Sequence, residues 1–266
     1  MTTVGVKETT EPVARLILLG ASNLRLGIST LLRSALARFT GPLEVYVAHG
    51  FGRSYGWKSS IPWRSLPGIL PCGLWDDVRK RPSLPTFALV TDVGNDLLYG
   101  AEAQQIVDWV TECIARLEQF NARIVVTELP IESILATSNV RFQIFRTIFF
   151  PPSRLTLSKA RDLAQRINEG VIEVANRHGC QRLTMPGAWY GIDPIHIRHR
   201  YRPVAWQAVV DRWREPNALH EKSVFSSKNR YLLNTARPQE RCLLGRHQCC
   251  AQPSIVLSDG SQVAVY

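Results

Sequence analysis

Four short stretches of the chain carry residue types that can do chemistry together. Ser22 stands in GASN, directly after the apolar run 14–20 (ARLILLG). Gly52 stands in HGFG after a second run, 43–48 (LEVYVA), and Asn95 in VGND at the end of a third, 86–94 (TFALVTDVG). Asp193 and His196 are three residues apart in DPIH, with Pro194 stiffening the link between them. A serine hydroxyl is a poor nucleophile at neutral pH. It needs a base within hydrogen-bond reach, and the base needs an acceptor that orients it. Backbone amides and a carboxamide are the donors that a developing oxyanion requires. The set as a whole is one that performs acyl transfer.

Taken singly, each residue has a plainer role. Ser is a favoured helix N-cap, Gly is a turn residue, Asn is a common loop or cap residue, and a lone DxxH is often a solvated loop. The joint case rests on their placement, because each follows a predicted strand. After the first three runs, residues 122–130 (ARIVVTELP) read as a fourth strand and 180–185 (CQRLTM) as a short fifth. Between them lie segments with apolar residues at helical spacing, over about 25–39, 101–120, 154–178 and 202–214, with Gly179 as a C-terminal cap. Residues 133–152 show neither period clearly. Alternation of short apolar strands with helices predicts a parallel sheet covered on both faces, and such sheets place their sites at the carboxyl ends of the strands. Residues 49–85, dense in Gly, Pro and Trp, form a long stretch without periodicity, of a kind more often functional than idle.

LILLGASNL, the glycine of AHGFGRS, VGND and DPIH fall in the order of the four blocks of the SGNH (GDSL-like) hydrolases, and the chain resembles that family over about residues 14–214. The resemblance implies a three-layer α/β/α sandwich with a central parallel five-stranded sheet of flavodoxin-like type. It implies Ser22 as nucleophile, Asp193 and His196 as its partners, and an oxyanion hole from the amides of Ser22 and Gly52 and the Asn95 carboxamide. Gly52 matches the second block better than Gly50 or Gly56. The usual first block is GDS, and here Ala21 takes the place of the Asp; Asn23 is also atypical. The implied activity is hydrolysis of carboxylic esters or thioesters without cofactor or metal, on small-molecule, acylated carbohydrate or lipid esters. An acyltransferase using the same residues is the second reading. A non-catalytic flavodoxin-like module binding a nucleotide or flavin at GASN is the third, and it lacks any Walker A or GxGxxG pattern.

The remaining features bound these readings. Asp92 and Asp96 are assigned structural or capping roles, and His49 loop packing. Trp57, Trp63 and Trp75 are expected to pack the long loop onto the sheet, and Arg53, Lys58 and Arg64 to lie on the solvated surface. The net charge is +10, and residues 197–266 hold eleven Lys/Arg against five Asp/Glu. Neither a basic run nor a nucleic-acid-binding motif accompanies that charge, which speaks against nucleic acid as partner. Six cysteines fit no zinc spacing, residues 1–13 are a polar leader without the apolar core of a signal peptide, and no stretch approaches a membrane span. The expected compartment is the cytoplasm. Two domains are read: the sheet domain over 14–215 and a C-terminal extension over 216–266, whose end (SIVLSDGSQVAVY) carries a β-hairpin signal at Asp259-Gly260.

Overall fold

The computed structural model of the chain describes residues 11–61, 63–149, 153–191, 193–213 and 225–266. Most of the expected leader and the start of the expected extension (216–224) lie outside the described residues. In chain order the strands are β1 (Ala14–Leu19), β2 (Leu43–Ala48), β3 (Ser59–Ile61), β4 (Arg64–Leu66), β5 (Thr86–Val90), β6 (Arg123–Thr127), β7 (Gln181–Leu183), β8 (Glu240–Leu243), β9 (Arg246–Cys249), β10 (Ile255–Val256) and β11 (Gln262–Val265). The helices are α1 (Ser22–Leu36), α2 (Leu74–Arg79), α3 (Ala103–Glu118), α4 (Ile131–Leu135), α5 (Asn139–Phe149), α6 (Leu157–Arg177), α7 (Arg202–Arg212) and α8 (Ser227–Thr235).

The five expected strands are present as β1, β2, β5, β6 and β7, all parallel, in the spatial order β2-β1-β5-β6-β7. This is the doubly wound order in which the chain starts centrally and leaves in both directions, opening a crevice beyond the carboxyl end of β1. Side chains of β1 alternate between two cores. Leu16 and Leu18 pack with α1 and α7, while Ile17 and Leu19 pack with α2, α3 and α6. The two-residue period of a strand thus sorts a continuous apolar run into two buried faces, giving the three layers. α6 buries Ala160, Leu163, Ala164, Ile167, Val171 and Val174 at helical spacing, and Gly179 follows it with φ +63°, the left-handed cap expected there. Within the ambiguous stretch at 133–152, residues 133–135 end α4 and 139–149 form α5, while 150–152 lie outside the described residues.

The sheet has seven strands rather than five. β11 pairs in parallel with β2, and β10 pairs antiparallel with β11. The hairpin expected around Asp259-Gly260 is there, with Gly260 at φ +92°, but it is docked as the edge of the main sheet. The ladder continues through the Tyr266 amide, which donates to Val47 O at 2.9 Å. The stretch 49–85 gains strands in the same way. β3 and β4 join β8 and β9 in a small antiparallel sheet, β3-β4-β8-β9. From residue 225 onward the C-terminal stretch is therefore woven into both sheets. Among the described residues no helix is long and apolar enough to cross a membrane.

α1, which carries Ser22, is seated by close contact with α7. A Cβ on Gly27 would stand 1.8 Å from Trp206 Nε1, so only glycine lets the indole lie against the helix backbone.

Candidate active site

Two residues separate β1 from Ser22, the first residue of α1. Gly20 is packed so tightly that a Cβ would meet Thr91 Cγ2 at 2.6 Å. Ala21 occupies the N-cap position and has no side-chain acceptor to offer. The acceptor comes from the end of β5: Asp92 Oδ2 receives the amides of Ala21 at 2.8 Å and Leu24 at 3.1 Å. Asp92 reaches them from a left-handed backbone, φ +58°, a conformation that Asp tolerates better than most side chains. The carboxylate at this turn is thus supplied by Asp92 instead of position 21. Ser22 is free of capping duty, and the plainer reading of it as an N-cap does not hold.

The Ser22 hydroxyl lies 2.8 Å from Nε2 of His196, and Nδ1 of the same ring lies 2.5 Å from Asp193 Oδ2. An ionised carboxylate only accepts, so Nδ1 carries the ring proton and Nε2 is left to accept from Ser22. Asp193 Oδ1 accepts the amides of Ile195 and His196, both at 3.1 Å, which bends DPIH into a turn around its own first side chain. Burial pushes the Asp193 carboxyl up. The hydrogen bond and charge of His196 and the two amides outweigh that effect, holding it below its ordinary value.

Asn95 opens a 3₁₀ turn, Asn95–Tyr99, after the left-handed Gly94 at φ +118°. It lines the same cavity as Ser22, and its buried Nδ2 donates to no partner among the described residues. A buried carboxamide donor left unused calls for an explanation. Gly52 sits in a turn with φ +63°. It is not among the residues lining that cavity. Its carbonyl accepts from Tyr99 Oη at 2.7 Å, which ties its loop to the far end of the Asn95 turn. The structure therefore brings together Ser22, His196 and Asp193 by direct bonds and Asn95 by a shared cavity, and connects Gly52 through Tyr99.

The cavity has a volume of about 100 Å³ and opens beside Ser22 and Asn95. Apart from these and neighbouring polar groups its wall is apolar, with Leu97, Leu129, Phe142, Ala160, Ala164 and Met185 among the contributors. It lies between the ends of β5 and β6 and the helices α5 and α6.

Sequence reasoning missed the part that Asn23 plays in this site, while Asp92 and Asp96 take the structural and capping roles expected of them. Asn23, atypical for the first block, bonds through its carboxamide to the backbone on both sides of His196. Asp92 caps the amides of Ala21 and Leu24 and also receives Asn23, targets that its sequence position does not show. Asp96 is fully buried, accepting from the Ser54 hydroxyl and, at 3.0 Å, from the Tyr55 amide. Burial raises its pKa to about 6 against those hydrogen bonds. It bolts the HGFGRSYG loop to the VGND loop. Among the loop residues, Arg53 is wholly buried rather than on the solvated surface, and its guanidinium donates to the Tyr266 carbonyl. Trp75 is buried as expected, whereas Trp63 is 58% exposed. His49 is buried beside Arg25, Arg53 and Arg64. Desolvation, with help from those charges, lowers its pKa to about 3 and keeps the ring neutral.

No family model matches the sequence, and no curated protein sequence matches it. Solved structures do. Est24, a carbohydrate acetylesterase from Sinorhizobium meliloti, superposes with a TM-score of 0.52 at 11% identity, over 74% of this chain and 97% of that chain. The aryl esterase of M. smegmatis superposes with a TM-score of 0.50 at 11% identity, over 74% and 97%. A member of the lipolytic G-D-S-L family from Veillonella parvula DSM 2008 overlaps at 0.47 and 14% identity, over 74% and 96%. The chain has the fold of the carbohydrate acetylesterase and the aryl esterase, as the resemblance read from its sequence blocks implied.

Proposed function

We propose that the chain is a serine hydrolase that cleaves carboxylic ester or thioester bonds through an acyl-enzyme on Ser22. The observation that carries this reading is the continuous hydrogen-bonded series from Ser22 Oγ to His196 Nε2 and from His196 Nδ1 to Asp193. In this reading Ser22 Oγ attacks the acyl carbon while His196 Nε2 takes its proton, and Asp193 steadies the imidazolium. The carbonyl oxygen gathers negative charge and meets the Ser22 and Gly52 amides and the idle Nδ2 of Asn95. The Ser22 amide suits this role because the first amides of a helix have no partner within it. Collapse of the tetrahedral adduct breaks the bond to the leaving alcohol or thiol, which takes the proton from His196. A water molecule, deprotonated by His196, then attacks the acyl-enzyme, and Ser22 recovers its proton as the acid leaves. The apolar cavity beside Ser22 and Asn95 seats the acyl part. Its modest volume favours a short chain.

The test is hydrolysis of p-nitrophenyl acetate and butyrate by the purified chain, together with labelling by a fluorophosphonate. Turnover, a single covalent adduct on Ser22 by mass spectrometry, and loss of both in Ser22→Ala are the expected results. Folded protein that neither turns over nor takes the label refutes the reading.

A further inference from the structure

We infer that Asn23 is a positioning residue that fixes the catalytic histidine against the nucleophile; this rests on the proposed roles of Ser22 and His196. Asn23 is the chain neighbour of Ser22, on the first turn of α1, and is buried. Its Nδ2 donates to Asp92 Oδ1 and to Ile195 O, both at 2.8 Å. Its Oδ1 accepts from the amide of Ile197 at 2.8 Å. Ile195 and Ile197 flank His196 on either side. One carboxamide therefore grips the backbone before and after the histidine.

The orientation of that carboxamide is not arbitrary. A carbonyl such as Ile195 O only accepts and an amide such as Ile197 N only donates, so exchanging the oxygen and nitrogen of Asn23 would break both bonds. Asp92 holds the third corner. One of its oxygens caps α1 through Ala21 and Leu24, and the other receives Asn23. The result is a closed path from the helix bearing Ser22, through Asn23, to the loop bearing His196, with Asp92 bracing it. No other side chain among the described residues bonds the backbone on both sides of His196. Asp193 shapes the loop internally and Arg202 touches it at Ile197 O, 3.2 Å, whereas Asn23 ties it on both sides of His196 to the residue next to Ser22. The contact it protects is the 2.8 Å separation of Ser22 Oγ and His196 Nε2. A misplacement of about 1 Å at such a contact costs a rate of roughly 10²-fold, because proton transfer depends on attack geometry.

This role makes a prediction that simple stabilisation of the fold does not. Asn23→Ala is compared with Asn229→Ala, which removes a different buried asparagine whose bonds go to Ser258 and to no residue of the site. The readouts are kcat and KM on p-nitrophenyl butyrate and the rate of fluorophosphonate labelling, at a temperature where thermal melts show each variant folded. Asn23→Ala is expected to lower kcat and the labelling rate by about 10²-fold with KM within about twofold of wild type. Asn229→Ala is expected to lower the melting temperature and leave kcat unchanged. If Asn23→Ala does not fold, Asn23→Ser serves, since its short side chain cannot bridge Ile195 and Ile197 at once. A folded Asn23 variant with wild-type kcat and labelling rate overturns the inference while leaving the serine-hydrolase reading intact. A wild-type chain that is folded but never labelled overturns both.

Discussion

His196 and Asp193 are joined twice: Nδ1 of the ring lies 2.5 Å from Oδ2 of the carboxylate, and the His196 amide donates to Oδ1 at 3.1 Å. One carboxylate therefore sets both the shape of the loop and the tautomer of the ring. Asp193→Asn separates these functions. The amide oxygen can still take up the backbone donors, but the Nδ2 group would face Nδ1 of His196 and force the ring proton onto Nε2. A ring protonated there cannot accept from Ser22. The expected result is a kcat lower by about 10² to 10⁴-fold with KM and melting temperature little changed. Full activity in this variant would mean that Asp193 serves the loop alone.

The second prediction concerns the cavity. Ala160 and Ala164 line it from α6, together with Leu129 and Phe142. Small residues at these positions leave the volume open. Ala164→Phe should fill part of it from α6 while leaving Ser22, His196 and Asp193 themselves unchanged. The ratio of kcat/KM for p-nitrophenyl butyrate over p-nitrophenyl acetate is expected to fall by about tenfold or more, since each methylene lost from an apolar pocket is worth about 1–3 kcal/mol. Acetate should remain a substrate. An unchanged ratio would place the acyl chain elsewhere.

Much of this site was legible before the structure because its signals are local. An apolar run ending in glycine marks a strand end, and the spacing of DPIH brings Asp193 and His196 onto one turn. The five parallel strands followed from the same patterns. What escaped was decided by distant partners. β11 pairs with β2 in parallel, and a parallel pairing leaves no turn signature between the two strands. β3 and β4 are three residues each, and β4 finds its second partner, β8, only near the other end of the chain. Arg53 looks like a surface residue until Tyr266, just past β11, accepts from its buried guanidinium. Asn23 carried no periodic or motif signal; its meaning lies in two backbone groups of a loop whose position no spacing rule supplies.

The buried carboxyl of Asp96 gives the third prediction. Burial raises its folded-state pKa from 3.8 to about 6, even though Ser54 and Tyr55 donate to it. With the folded value above the unfolded one, the folded chain holds this proton more tightly. The stabilising contribution is present below about pH 4 and is lost as pH rises through about 6, by roughly 3 kcal/mol for a shift of about two units. Asp96→Asn cannot titrate. Whatever constant difference the substitution introduces, its unfolding free energy relative to wild type should rise by about 2 kcal/mol between pH 4 and pH 7, because the unfolded carboxyl is already partly ionised at pH 4. Urea denaturation of both proteins at the two pH values measures this directly. A difference that stays constant across that range would show that the Asp96 carboxyl titrates with the same pKa in the folded and unfolded chain. In that case the bolt between the HGFGRSYG and VGND loops would have no pH dependence.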